Sequence, residues 1–316
     1  SVMLWCRRAE QARAINATSH NPDYLQAIEL PEAISSTSDP EEAALFSQHW
    51  ILALPTQTVR GFLPALAPFC GKETEVCNVA KGIEIGTGAR ISAIVSETLP
   101  EVRYSVLSGP SFAGEVAQGL PTALTAASRH ETSAILWQST LNTQRLRIYT
   151  SSDVVGTETG GAVKNIMAIA SGMASALGLG ENARAALVTR GLAEIMRLGE
   201  ALGAHPLTLA GLAGMGDLVL TCYSTQSRNF RLGLALGRGL SLDEAKLEVG
   251  QVAEGAFTVR AVAESALALS VELPVSQGVH RLLYEGSSPQ DELERLIARD
   301  PKAEYPPAML WGSGRG

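Results

Sequence analysis

The sequence predicts two parts: a mostly parallel, doubly wound α/β sheet over residues 1–150 and an all-α domain over residues 151–316. Three observations carry this. The 316 residues suffice for two domains of about 100–200 residues each. The first half alternates short apolar runs with stretches of helical period, the pattern of βαβ units. From Thr150–Asp153 onward the strand-like runs stop and helical periodicity continues alone.

Taken in order, Val2–Trp5 reads as a strand and residues 7–16 as a helix. Ser38-Asp39-Pro40-Glu41-Glu42 sets an N-cap, a first-turn proline and acids in the order that opens a helix. Trp50–Leu54 is an apolar run stopped by Pro55, followed by a helix over 57–67. Glu75–Val79 reads as a strand, 89–98 as a helix, and Tyr104–Leu107 as a strand closed by Gly109-Pro110. Thr122–Ala127 and Arg147–Tyr149 are late strands with a helix between them. In the second half Ala183, Leu187, Val188, Leu192, Ile195, Met196, Gly199 and Leu202 form one stripe, with Glu194, Arg197 and Glu200 largely off it. Ser241-Leu242-Asp243-Glu244 is a capping box, and Ser288-Pro289 opens a last helix. The tail from Pro306 is rich in proline and glycine and reads as loose.

Hydrophobic residues make up 46% and charged residues 18%, as in packed proteins rather than disordered ones. A net charge of −7 argues against a nucleic-acid partner, which needs a basic face. Cys6, Cys70, Cys77 and Cys222 form no C-x-x-C pair and the five histidines are scattered, so neither a metal site nor a disulfide framework is expected. Free cysteines suit a reducing cytoplasm. The apolar stretch Ile166–Gly180 is 15 residues long and falls short of the roughly 18 that suggest a membrane span. No stable membrane insertion is expected.

Three loops follow the first-half strands: Pro55–Gln57, Lys81–Glu84 and Gly109–Ala113. Ligands of open parallel sheets sit outside the carboxyl ends of the strands, so these loops line one crevice. Lys81 before Gly82 is either a surface lysine at a turn or a cation aimed into that crevice. Gly109-Pro110-Ser111 is either a strand-to-helix turn with Ser111 as N-cap or an anion site. Lys164 and Asn165 interrupt an apolar, glycine-rich stretch at 160–166. Such a lysine snorkels, or it is buried with a lowered pKa that suits proton transfer. Asp217, between glycines and an apolar run, needs a partner such as a lysine. Ser227-Arg228-Asn229 offers a hydroxyl, a guanidinium fork and an amide, suited to a phosphate with nearby hydroxyls, or it is an ordinary polar loop. The G-x-G-x-x-A match at 178–183 has no strand before it and reads as a helix–helix connection, not a dinucleotide fingerprint.

LWCRR at 4–8, KGIE at 81–84, GPSFAGEV at 109–116, GGAVKNIMAIASG at 160–172, ENARAALVTRGLAE at 181–194, GMGDLVLTC at 214–222, SRNFRLG at 227–233 and QVAEG at 251–255 together resemble the bacterial NAD(P)-dependent glycerol-3-phosphate dehydrogenase family. The resemblance spans residue 2 to about 286. It implies a Rossmann-like cofactor domain followed by an α-helical substrate domain. It also implies interconversion of sn-glycerol 3-phosphate and dihydroxyacetone phosphate with NAD or NADP, supplying glycerol phosphate for phospholipids, in a homodimer. By the same resemblance Lys164 is the proton donor and acceptor at the substrate oxygen. Asp217 is the pocket acid, and Lys81 is shared between substrate and nicotinamide. Gly109 and Ser111 contact substrate and Ala113 the cofactor. Ser227, Arg228 and Asn229 hold phosphate and hydroxyls, with Arg228 also near the cofactor. Arg7 and Arg8 read the adenosine ribose, where two arginines suit a 2′-phosphate. Val252 and Glu254 are late cofactor contacts. The neighbouring alternatives are a 6-phosphogluconate or β-hydroxyacid type dehydrogenase, which also carries a Lys-Asn pair, and a non-catalytic sugar-phosphate or dinucleotide sensor. The family's first strand and its G-x-G-x-x-G turn have no counterpart in these residues. Val2 begins what resembles the family's second strand, so the sequence is expected to be a trimmed piece of a longer protein.

Overall fold

A computed structural model describes residues 1–250, 253–301 and 303–304. Val252 and the tail from Pro306 lie outside the described residues. In chain order the first half holds β1 (Val2–Trp5), α1 (Ala9–Thr18), β2 (Ile34–Thr37), α2 (Pro40–Phe46), β3 (His49–Leu52), α3 (Thr56–Phe62), β4 (Glu75–Asn78), α4 (Ile91–Thr98), β5 (Arg103–Ser108), α5 (Ala113–Ala117), β6 (Thr122–Ser128), α6 (Glu131–Leu141) and β7 (Leu146–Ser151). The rest is helical: α7 (Val154–Ala176), α8 (Gly180–Ala201), α9 (Pro206–Ala210), a π turn (Leu212–Gly216), α10 (Asp217–Tyr223), α11 (Arg228–Gly237), α12 (Leu242–Val249), α13 (Glu254–Ala268), α14 (Pro274–Tyr284) and α15 (Pro289–Ile297).

The strands form two ladders, β1-β2 and β3-β4-β5-β6-β7. The larger is doubly wound, because successive side chains of one strand enter different cores. Val76 packs with Val59, Ile91 and Ile94, whereas Cys77 packs with Leu124, Ala126, Trp137 and Ile148. The expectation of parallel pairing needs one correction: β6 runs antiparallel to β5. Six residues of β5 rise about 20 Å, while the five-residue α5 returns only about 7 Å. The chain therefore stays near the end it reached, and β6 starts there. The eleven-residue α6 is long enough to carry the chain back, so β7 is parallel to β6.

β2 carries no apolar strand signal in the sequence, because ISST is mostly polar. Asn16 of α1 satisfies it: the Ser36 amide donates to Asn16 Oδ1 at 2.8 Å and Asn16 Nδ2 donates to the Ser36 carbonyl at 2.7 Å. Asp39 caps α2 by accepting from the Glu41 amide at 2.9 Å. Val2 and Ile51, on the two strands that begin the separate ladders, are half exposed.

α7 is the axle of the helical half, buried almost throughout from Gly156 to Ala174. α11 crosses it closely enough that a Cβ on Gly233 would stand 2.0 Å from the Ile169 carbonyl oxygen, and one on Gly172 would stand 2.1 Å from the Phe230 carbonyl. Both obstacles are backbone and cannot swing away. Gly233→Ala is therefore expected to lose about 1–3 kcal/mol or more from overpacking, outweighing the roughly 1 kcal/mol that alanine gains over glycine in a helix. A denaturation midpoint equal to or above wild type would contradict this close crossing.

Glu194 departs from the expected stripe. It is buried and accepts from the Ser276 amide at 3.0 Å, the Val275 amide and the Ser276 hydroxyl, capping α14 from α8. Pro206–Tyr223 is apolar enough over 18 residues to match a membrane span by composition. Here it is broken into α9, the π turn and α10, with Asp217 buried inside.

Candidate active site

The three loops at the carboxyl ends of β3, β4 and β5 converge, as the parallel registers require. Gln57 ties the first to the second, donating to the Ile83 carbonyl at 2.8 Å and accepting from the Ile85 amide at 3.0 Å. Lys81 ties the second to the third, its Nζ donating to the Gly109 carbonyl at 2.9 Å. Gly109 has φ +144°, a conformation that disfavours a side chain, and this turn aims its carbonyl at Lys81.

The helical half closes on these loops. Asp217 is buried between two lysines: Lys81 Nζ lies 2.7 Å from Oδ2 and Lys164 Nζ lies 3.0 Å from Oδ1. Lys164 also donates to Thr221 Oγ1 at 2.6 Å, and Thr221 lies one turn after Asp217 on α10, its Oγ1 2.6 Å from the Asp217 carbonyl. The π turn sets this geometry. It offsets the helix start by one residue, and Gly214 within it leaves no room for a Cβ, which would meet the Leu209 carbonyl at 1.9 Å.

Burial pulls the Lys164 ammonium down from 10.5 to about 8, with Asp217 opposing and Lys81 reinforcing the shift. Burial alone would raise Asp217, but the two ammonium groups outweigh it and hold the carboxyl below its ordinary value. The cluster thus holds two cations and one anion, with Lys164 and Asp217 buried and Lys81 part-exposed, and carries one net positive charge when all three are ionised. A lysine that can give up or take a proton near neutral pH therefore faces a site that favours an anion.

Asn165, beside Lys164, runs a second chain of contacts. Its Nδ2 donates to the Lys81 carbonyl at 3.2 Å, its Oδ1 accepts from Asn229 Nδ2 at 2.9 Å, and Asn229 Oδ1 accepts from the Gly255 amide at 2.9 Å. Ser227 caps α11 by accepting from the Phe230 amide at 3.2 Å. Arg228, the first residue of α11, is exposed and its side chain makes no hydrogen bond to another described residue. The polar triplet is thus a capped helix start whose guanidinium is free to take a ligand.

Glu254 opens α13 and accepts from the Thr56 amide at 3.3 Å, bringing a fourth segment to the strand ends. Burial raises its carboxyl above the ordinary value, against the Thr56 amide and the Arg228 charge. Among the described residues Glu254 Oε2 and Thr56 Oγ1, both beside Gly82, and Ser108 Oγ, beside Gly161, are buried without a well-formed hydrogen bond, although the Thr56 side chain is close enough to Glu254 to bear on its carboxyl. Unpartnered donors and acceptors at the carboxyl ends of parallel strands fit the hydroxyls and amide of a dinucleotide.

Ser111 is not the N-cap of α5. Its hydroxyl donates to the Gly109 carbonyl at 3.1 Å, and Phe112 holds the cap position without a side-chain bond. Ala113 is the exposed first residue of α5. Arg7 and Arg8 are exposed just after β1. Arg8 is paired with Asp23, and Arg7 makes no ion pair with the described residues. In the sequence Thr56 is placed only within the crevice loop at 55–57, Asn165 only beside Lys164, and Thr221 has no assigned part. The only signals were the four-residue step from Asp217 to Thr221 and the Lys-Asn neighbourhood.

Two models of NAD-dependent glycerol-3-phosphate dehydrogenase match the chain, the N-terminus over residues 1–134 and the C-terminus over residues 153–294. The chain is 45% identical over 307 residues to glycerol-3-phosphate dehydrogenase [NAD(P)+] 2 of Salinibacter ruber, covering 96% of this chain and 89% of that one. It is 46% identical over 303 residues to the Rhodospirillum rubrum glycerol-3-phosphate dehydrogenase [NAD(P)+], covering 96% and 87%. The crystal structure of glycerol-3-phosphate dehydrogenase from Coxiella burnetii superposes with a TM-score of 0.91 at 37% identity, covering 95% of this chain and 92% of that one. With both halves matched at this coverage, and with a lysine–aspartate–lysine cluster between a strand-end crevice and a helical domain, the chain belongs to the NAD-dependent glycerol-3-phosphate dehydrogenase family.

Proposed function

We propose that this protein interconverts dihydroxyacetone phosphate and sn-glycerol 3-phosphate with NAD or NADP, with the cofactor part ending near residue 150 and the substrate part following it. The observation that carries the reading is the Lys164–Asp217–Lys81 cluster, built on a buried Lys164–Asp217 pair, at the meeting of the two halves.

The bound nicotinamide supplies or accepts the hydride at the substrate's C2; the rest falls to the chain. As hydride arrives at C2, negative charge grows on the carbonyl oxygen. Lys164, an ammonium below about pH 8, stabilises that charge and gives it a proton. Asp217 keeps Lys164 and Lys81 together without neutralising both, and Thr221 fixes the direction of the Lys164 head group. Gly109 and Ser111 shape the floor beneath Lys81. Arg228, with Ser227 and Asn229, holds the substrate phosphate, whose binding orients the carbonyl. Arg228 also reaches toward the cofactor side, where its charge bears on Glu254. Lys81, Ala113, Val252 and Glu254 would hold the cofactor near its reactive end, and Arg7 and Arg8 the adenosine ribose. The free cysteines support a cytoplasmic setting, and a two-fold dimer is the assembly we expect.

Steady-state reduction of dihydroxyacetone phosphate with NADPH and with NADH tests the reading. Turnover with either supports it. Absence of turnover with both, or preference for a β-hydroxyacid substrate, would overturn it. Arg228→Ala should remove a charge-assisted contact of about 1.5–3 kcal/mol, raising KM for dihydroxyacetone phosphate roughly 10- to 100-fold. Titration of substrate against the variant checks this, and an unchanged KM would remove Arg228 from the phosphate site.

A further inference from the structure

Asp217, the acid that pairs with the lysines, and Arg228, the arginine proposed above to hold the phosphate, stand on different helices, α10 and α11, joined by a four-residue loop over 224–227. Something must fix their spacing. The last carbonyls of α10 have no helical partner, and its C-cap residue Ser224 is extended. Two side chains from other helices take the Cys222 carbonyl instead: Ser171 Oγ of α7 at 2.8 Å and Arg184 Nη2 of α8 at 3.4 Å. The Arg184 side chain is 11% exposed. Its guanidinium carbon lies 4.7 Å from the Tyr223 ring centre, at the end of α10, and 5.6 Å from the Phe230 ring centre, in the first turn of α11. Glu181, one turn back on α8, holds the outer edge of the fork at 2.8 Å.

We infer that Arg184 is a positioning residue that sets the distance between the proton-transferring group and the phosphate clamp. A cation suits the carbonyl end of α10, and a flat guanidinium suits two ring faces, which a lysine head group matches less well. Through Tyr223 and the Cys222 carbonyl it holds the end of the helix that bears Asp217 and Thr221. Through Phe230 it holds the turn that bears Arg228 and Asn229. A misplacement of about 1 Å between groups that act on two ends of one substrate costs on the order of a hundredfold in rate. The inference rests on the reading of Arg228 as the phosphate contact.

The test compares Arg184→Met and Arg184→Lys with wild type on dihydroxyacetone phosphate and on unphosphorylated dihydroxyacetone, which uses the proton site without the clamp. For Arg184→Met we expect kcat/KM for the phosphorylated substrate to fall on the order of a hundredfold and kcat/KM for dihydroxyacetone to fall at least about tenfold less than that, with Arg184→Lys recovering part of the loss. Equal losses on both substrates, or no loss on either, would overturn the positioning role. If Arg184→Met does not fold, the same split in Arg184→Lys decides. Failure of wild type to reduce dihydroxyacetone phosphate would instead remove the underlying reading.

Discussion

Lys164→Ala should lose turnover of dihydroxyacetone phosphate by a factor of about 10²–10⁴, the range general acid–base groups supply, while substrate still binds. The size follows from where Lys164 sits. It is buried, among the described residues its ammonium bonds to the side chains of Asp217 and Thr221, and burial has already brought its proton within reach of neutral pH. No other group in the cluster can replace it. Lys81 is spent on Asp217 and the Gly109 carbonyl, and Thr221 donates to Asp217. Steady-state kcat, with substrate titration to confirm binding, checks this. A kcat within a few-fold of wild type would move the proton transfer elsewhere.

Asp217→Asn should have two effects, both large. It removes the anion from between two ammonium groups, and breaking a buried pair by deleting one partner costs about 3–5 kcal/mol. It also removes the main influence opposing the effect of burial on Lys164, so that lysine should titrate below its wild-type value of about 8. The sign for activity follows. Reduction needs the ammonium, so in wild type its rate falls as pH rises through about 8, whereas oxidation needs the free amine and rises through the same range. In Asp217→Asn both midpoints should move toward acid. Profiles of kcat/KM against pH in each direction measure this, and a midpoint unmoved or shifted toward alkali would refute the assigned role of Asp217.

The convergence of the loops at 55–57, 81–84 and 109–113 was legible because it needs only the rule that parallel strands end on one side. Lys164 was legible as a lysine in an apolar helical stretch, and Asp217 as an acid in need of a partner. That one carboxylate serves two lysines was not legible, because 53 residues separate Lys164 from Asp217 and 136 separate Lys81 from Asp217. Ser111 looked like a cap because its residue type allows it, yet its hydroxyl turns back to Gly109. Glu194 looked solvent-facing because carboxylates usually are, and only the arrival of α14 gave it backbone amides to accept from.

The sequence by itself determined the alternation of strands and helices, the change to an all-helical second half and the residue types that can do the chemistry. These are local matters of period, capping and side-chain pKa. Tertiary structure alone decided which strand would run backward, which carboxylates would be buried, and that Lys81, Lys164 and Asp217 would share one site. The physical reason is that pairing and desolvation depend on what another part of the chain brings within about 3 Å, and no local pattern specifies that neighbour.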